Sequence, residues 1–386
     1  MLLTIIIFVL VLSVLVFAHE LGHFFTARRL GVKAEEFGFG FPPRAFGFYK
    51  NRLGRWRRIV GTRSWDKLAA SADEKNQPAA RSTIYSINWL PLGGFVKIKG
   101  ENGEGSNDAD SFAAKKIWQR ILILSAGVIM NIVLAWFLFS LGYIIGLPQS
   151  TDSLGKQARV SESQVIIAQV LPNSVASRAG LQDGDIVLSV AGQPVVSDVS
   201  LQELISSRAN QETDLLIDRG GAEQTIKVTP TAASGARATI GVAIFSAGLV
   251  RYPFFPALWE GAKTTGWLLK EIVSAFGILL YNLFIGQPVG DQFAGPVGIA
   301  NITGQAARQG FAYLLQFTAL LSLNLAIINI LPFPALDGGR IFFLLIEKIK
   351  GRPVRREVEN WAHNIGFLLL IALVVFVTYK DIIKLF

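Results

Sequence analysis

Leu2 to Ala18 is an almost unbroken apolar run, and Phe24 and Phe25 extend it past a polar interruption. About 20 apolar residues span a bilayer. The run opens Met-Leu-Leu-Thr-Ile, without the basic n-region of a signal peptide, although Val16-Phe17-Ala18 loosely resembles a cleavage site. A transmembrane helix over 1–26 is therefore expected. Further spans are expected over about 117–147, over 311–340 with its apolar part at Phe311–Leu331, and over about Ile365–Tyr379 within 341–386. The last is short, and Phe342–Ile346 or Ile382–Phe386 is expected to extend it. Within 253–310, the stretch Gly266–Ile285 is apolar but broken by Lys270 and Glu271. Trp267, Leu268, Ile272 and Phe276 recur at helical spacing, which predicts a helix lying in the interface, with a fifth span as the alternative.

Between the second and third spans the pattern changes to that of a soluble α+β module, about 161–245. Val165–Val170 is β-branched and reads as a strand. Leu201–Ala209 reads as a helix, and Asp214–Asp218 and Gln224–Val228 bracket Gly220-Gly221, a hairpin signal. This order, with Ala179-Gly180-Leu181 and Gly184-Asp185-Ile186, resembles a bacterial PDZ domain. The resemblance implies a ligand strand at Ile240, Gly241 and Val242, because such domains bind peptides by adding a strand to a sheet edge. A spacer that holds no peptide is the competing reading.

Charge then orients the chain. The 386 residues carry 37 Lys and Arg against 28 Asp and Glu, a net of +9, and only 17% are charged. That is too few for a disordered chain. Segment 27–116 holds 17 basic against 9 acidic residues, 148–260 holds 8 against 11, and 338–363 holds 6 against 3. By the positive-inside rule the first and third face the cytoplasm and the module lies outside it, with both termini extracytoplasmic. Beside a membrane, Arg55-Trp56-Arg57-Arg58 is expected to meet anionic lipid rather than nucleic acid.

Candidate chemistry is concentrated. The chain has no cysteine, so thiolate metal sites and thiol nucleophiles are excluded. Two of its three histidines fall in His19-Glu20-Leu21-Gly22-His23. Residues four apart share a helix face, so His19 and His23 can aim two imidazoles at one zinc, and Glu20 can reach a water there as general base. By composition such a motif arises by chance about once in a thousand chains of this kind. Packed histidines, with Glu20 as a helix-pair partner, are the bland alternative; polar groups at membrane depth are expensive without a use. His363 lacks such company and reads as a loop or helix-end residue. The third ligand candidate is Asp337, beyond Asn329 and the prolines Pro332 and Pro334. An Asp-Gly turn capping a helix is its competing reading.

His19–His23 in the first span, a PDZ module, and Asn329…Pro332…Pro334…Leu336-Asp337-Gly338 together resemble the site-2 protease family of intramembrane zinc metalloproteases, in its four-span bacterial form. The resemblance covers nearly the whole chain. It implies zinc held by His19, His23 and Asp337, with Glu20 as base. It implies substrate contacts from Asn329 and from a membrane-dipping β-hairpin near 85–100, with Gly93, Gly94, Phe95 and Val96 at its heart. It also aligns Phe293–Ile299, and Ser125–Asn131 with a Gly-Pro-x-x-Asn pattern in which Val128 stands for proline; Asn131 reads equally as an interhelical hydrogen bond. One PDZ pattern is visible where a member of the family carries two, and 51–80 is a longer polar excursion than usual. The expectation is thus a polytopic α-helical protein of the inner or plasma membrane, with about four spans, a membrane-associated β-hairpin and one extracytoplasmic PDZ-like domain. By resemblance its partners are the lipid bilayer and membrane proteins with a transmembrane segment, such as anti-sigma factors or remnant signal peptides. A non-proteolytic PDZ adaptor and a zinc-dependent transporter are the other function classes.

Overall fold

A computed structural model describes residues 2–383, apart from 62–64, 66–67, 69–76, 80, 104, 106, 151–156, 233–236 and 288–294. The chain forms two compact units, 1–139 with 261–386, and 140–260.

The first unit opens with α1 (Leu2–Arg29). Beyond it, β1 (Ala34–Lys50), β2 (Trp56–Val60) and β3 (Ile84–Ile98) form an interlocked antiparallel sheet. Both β1 and β3 fold back on themselves. Phe37 pairs with Val96 on one side and with Tyr85 on the other, while Phe46 and Phe48 pair with Ile87 and Tyr85. The hairpin expected near 85–100 is therefore split, with the first arm of β1 inserted between its two arms. Gly94–Ile98 is left at the sheet edge, and the other edge is β2 on Phe46–Lys50. Buried Arg44 bonds the Glu36 carboxylate and the Gly61 carbonyl inside this sheet. Trp89 and Leu90 at the tip are exposed. Of the 51–80 excursion, Trp65 and Leu68 pack with Tyr49, Ile59 and Ile84, and much of the remainder lies outside the described residues.

Long helices follow: α2 (Ile117–Ile145) and, after the second unit, α5 (Phe254–Phe284), α6 (Pro296–Gln309), α7 (Phe311–Ile330), α8 (Asp337–Lys350) and α9 (Arg356–Ile383). Among the described residues five helices are long and apolar enough to cross a membrane: α1, α2, α5, α7 and α9. α5 is the least apolar, with a mean hydropathy of 1.2 against 1.8–2.9 for the others, and no residue of its most apolar stretch is buried. The stretch expected to lie in the interface is thus part of one 31-residue helix. The short fourth span is an unbroken 28-residue helix, and Phe342–Ile346 belongs to the separate α8.

Glycine permits the closest helix contacts. A Cβ on Gly22 of α1 would lie 2.2 Å from the Ala126 carbonyl oxygen of α2. Ser322 of α7 donates to the Asn131 carbonyl of α2 at 2.8 Å. Asp381 near the end of α9 accepts from Gly295 and Gly298 N–H at the start of α6. That start belongs to Phe293–Ile299, whose first two residues lie outside the described set.

The second unit is one mixed-length antiparallel sheet with two short helices: β4 (Leu147–Ser150), β5 (Arg159–Val170), α3 (Val175–Ala179), β6 (Ile186–Val190), β7 (Gln193–Pro194), α4 (Asp198–Ser206), β8 (Thr213–Arg219), β9 (Ala222–Val228) and β10 (Val242–Arg251). Its strand order is β4-β10-β5-β6-β8-β9, with β7 beside β6. The sheet reaches beyond 161–245 because Ala247–Val250 pairs with Leu147–Ser150. The motif residues have separate tasks. Gly180 ends α3 at φ +85, Leu181 enters the core, and Gly184 turns at φ +92. Asp185, 1% exposed, accepts two 2.7 Å bonds from Arg219 and one from Gln182 N–H. Burial opposes its charge, but the Arg219 and Gln182 bonds outweigh that and hold its carboxyl below the ordinary value.

Candidate metal centre

Helix spacing and a broken helix bring the site together. His19 and His23 are one turn apart on α1, and both are buried. Asp337 arrives 314 residues after His23 in the chain, at the first position of α8. Pro332 cannot continue α7, so 331–336 turns sharply and α8 starts against the end of α7. Gly338 and Gly339 make this approach possible: a Cβ on Gly338 would lie 2.2 Å from the Ile330 and Leu331 carbonyl oxygens, and one on Gly339 2.3 Å from that of Phe333.

The donor atoms converge. Nε2 of His19 lies 2.9 Å from Oδ2 of Asp337, Nε2 of His23 lies 3.3 Å from the same oxygen, and the two Nε2 atoms are 3.1 Å apart. A tetrahedral zinc with bonds of about 2.0–2.2 Å separates its ligands by about 3.3 Å, so the triangle has the right size. Protonation agrees. His23 Nδ1–H donates to the Ile123 carbonyl at 2.8 Å, which leaves a bare lone pair on Nε2. Nδ1 of His19 faces the amide of buried Asn131 at 3.3 Å, where Oδ1 of Asn131 has no partner. A half-turn of the amide lets Oδ1 accept from Nδ1–H and frees Nε2 of His19 in the same way. Two lone pairs and a carboxylate oxygen aimed at one point fit a cation. Gly127 clears the floor: a Cβ there would lie 2.4 Å from Nε2 of His23 and 2.7 Å from Nε2 of His19. His19, His23 and Asp337 are the group of potential metal ligands found among the described residues.

Glu20, His23 and Asp337 line a cavity of about 170 Å³ with Gly94, Phe95 and Val96 of the sheet edge. Oε2 of Glu20 accepts from Val96 N–H at 3.1 Å. Gly93 lies outside this cavity lining, against Val16, with φ +73 and its N–H on Ser13. Asn329 reaches only to 3.5 Å from the ring nitrogens of His19. Ile240, Gly241 and Val242 belong to the second unit: Ile240 is core, Gly241 turns at φ +78 with its carbonyl bonded to Leu171 N–H, and Val242 opens β10 beside Val170.

The profile of peptidase family M50 matches residues 7–58 and 76–373. The chain belongs to peptidase family M50. This M50 chain is 31% identical to the regulator of sigma-W protease RasP of Bacillus subtilis, with 99% of each chain covered. It is 31% identical to the zinc metalloprotease RasP of Bacillus licheniformis, again over 99% of each, and 29% identical to the regulator of sigma-E protease RseP of Escherichia coli, over 98% of each. Solved PDZ domains of SdrC-like proteins are also similar: that of Listeria monocytogenes is 18% identical, covering 22% of this chain and 92% of its own at a TM-score of 0.21. The M50 chain is a multi-pass membrane protein and an intramembrane zinc metalloendopeptidase.

Two contributors were not legible in the sequence. Ser13, buried in α1, donates to the Pro91 carbonyl at 2.8 Å and accepts from Gly93 N–H at 3.2 Å. A lone serine in an apolar run carries no signal of a distant partner. Gly127 stands in the Ser125–Asn131 pattern, but its contribution to the metal centre was not legible either, because its value lies in an absent side chain.

Proposed function

We propose that His19, His23 and Asp337 hold the zinc, that Glu20 is the general base, and that the substrate is an extended, unwound transmembrane segment laid along Gly94–Ile98. The convergence of three metal donors beside Glu20, in a cavity walled by a free strand edge, carries this reading. Zinc, when bound there, supplies Lewis-acid polarisation of the scissile carbonyl and acidifies a water. Glu20 takes the proton of the attacking water and passes it to the leaving amine. The Val96 N–H fixes the orientation of that carboxylate. A helical peptide bond is shielded by its own hydrogen bonds, and a strand edge stabilises the unwound form instead. Phe41 and Phe95 give the cavity apolar walls, suited to transmembrane side chains. The Asn329 amide is placed to bond substrate backbone whose helical partners are lost.

Water has a route. A second cavity of about 610 Å³, lined by Arg120, Arg340, Glu347 and Arg356, shares Glu101, Phe112 and Leu124 with the smaller one. Both belong to the positively charged side, which we assign to the cytoplasm, with the PDZ-like module and both termini outside. The module then acts as a docking or size gate through Ile240–Val242. Two relatives are proteases named for the regulation of sigma-W and sigma-E, which favours membrane-bound anti-sigma factors as substrates, with remnant signal peptides as a further class.

Glu20→Gln tests the reading. The full chain should keep its fold and zinc, lose cleavage of a transmembrane reporter by at least ~10³-fold, and retain uncleaved substrate on purification from cells. Cleavage within tenfold of the native chain would overturn it.

A further inference from the structure

The backbone that presents Asp337 is not held by its own helix. Between α7 and α8, Ala335 sits at φ +80, a left-handed conformation that is strained for a residue with a Cβ. Such a residue persists only where its surroundings hold it. Ala335 N–H, two residues before Asp337, donates to Nδ1 of His363 at 2.8 Å. Acceptance at Nδ1 places the ring proton of neutral His363 on Nε2. One helical turn on, Gly366 lies against the same turn: a Cβ there would sit 2.5 Å from the Pro334 carbonyl oxygen. His363 and Gly366 share a face of α9, so this helix both grips the turn and leaves room for it. From α8, the Phe343 ring packs 5.6 Å from the imidazole and limits its movement.

We propose that His363 is a positioning residue of the metal centre: through Ala335 N–H it holds the left-handed turn that sets where the Asp337 carboxylate lies, and Gly366 gives the turn its seat. This rests on the reading of Asp337 as a zinc ligand. A turn relaxed to negative φ at Ala335 redirects the chain immediately before Asp337. The carboxylate oxygen, 2.9 and 3.3 Å from the two Nε2 atoms, then leaves the triangle.

The test measures zinc dissociation constants of the full chain in detergent by chelator competition, with circular dichroism as a check on folding. Asp337→Asn should weaken zinc by more than ~100-fold and His363→Ala by ~10-fold or more. His363→Asn places an amide oxygen where Nδ1 stands and should stay within ~3-fold of the native chain, whereas His363→Gln places it where Nε2 stands and should behave like alanine. Ala335→Gly in the His363→Ala background should recover much of the loss, since glycine adopts positive φ without strain. A helix-packing role for His363 gives no such rescue. Native zinc affinity in His363→Ala and His363→Gln, with zinc lost in Asp337→Asn, overturns the proposal. So does equal loss in the asparagine and glutamine variants. Native affinity in Asp337→Asn instead overturns the ligand reading, and the proposal falls with it.

Discussion

Gly127→Ala adds one methyl group to the floor of the metal centre. Its carbon would lie 2.4 Å from Nε2 of His23, and 2.6 and 2.7 Å from Cε1 and Nε2 of His19. Non-bonded heavy atoms rest about 3.5 Å apart or more, so each ring must retreat by about 1 Å. An imidazole–zinc bond is only about 2.0–2.1 Å long, and a displacement of half its length abolishes coordination rather than stretching it. Retreat of α2 in place of the rings would open the close packing of Gly22 of α1 on the Ala126 carbonyl. Overpacking of this size costs about 1–3 kcal/mol, which a folded chain survives. The expected outcome is a folded protein whose zinc affinity falls at least ~100-fold, equivalent to about 2.7 kcal/mol at ~1.4 kcal/mol per tenfold. Chelator competition reads the affinity, a transmembrane reporter in proteoliposomes reads cleavage, and thermal unfolding followed by circular dichroism reads the fold. Native zinc affinity with cleavage within twofold would refute the assignment of this space to the metal.

Ser13→Ala removes both bonds that pin the hairpin tip to α1; cleavage should fall ~10-fold or more through lost substrate positioning, with zinc affinity unchanged, and a zinc defect would show that Ser13 supports the metal instead. Asn131→Ala removes the amide behind His19 and should weaken zinc ~10-fold while leaving helix content intact; unchanged affinity assigns Asn131 to helix packing alone. In the PDZ-like module the Asp185 carboxyl is held below its ordinary value, so its contribution to stability is present above the unfolded value of about 3.9 and fades as pH falls through the lower folded value. Asp185→Asn removes that contribution at neutral pH, and amide exchange in β6 and β8 of the full chain should quicken about tenfold there but not in α1. Uniform exchange rates in the variant and the native chain would dismiss the Asp185–Arg219 pair as a support of the module.

The pairing of two imidazoles was readable from His19-Glu20-Leu21-Gly22-His23 because a four-residue spacing on a helix is a local fact, fixed by 3.6 residues per turn. Four of the five long apolar helices were readable for a related reason, since a bilayer sets how long an apolar run must be, whereas Gly266–Ile285 read as an interfacial stretch. Asp337 was less legible: nothing in the spacing of residues 19 and 337 says that they meet, and its Asp-Gly setting suits a helix start equally well. The local sequence offered it only as a candidate beyond two prolines, and the family pattern favoured the ligand reading over the turn. The hairpin was visible as a segment but not as a topology. Only folding inserts the first arm of β1 between the arms of β3 and leaves Gly94–Ile98 as the edge beside Glu20.

The sequence by itself thus determined the membrane class, the basic and acidic segments, the helix that pairs His19 with His23 and the α+β module, all of which depend on period, length or charge along a short stretch. The tertiary structure alone decided what stands behind those residues. Gly127, Ser13, Asn131 and His363 act through partners roughly 30 to 110 positions away, by an absent side chain, a serine bond, an amide behind a ring and an imidazole on a strained turn. Each is a matter of a few ångströms between distant segments, and a linear pattern does not encode such distances until the helices pack.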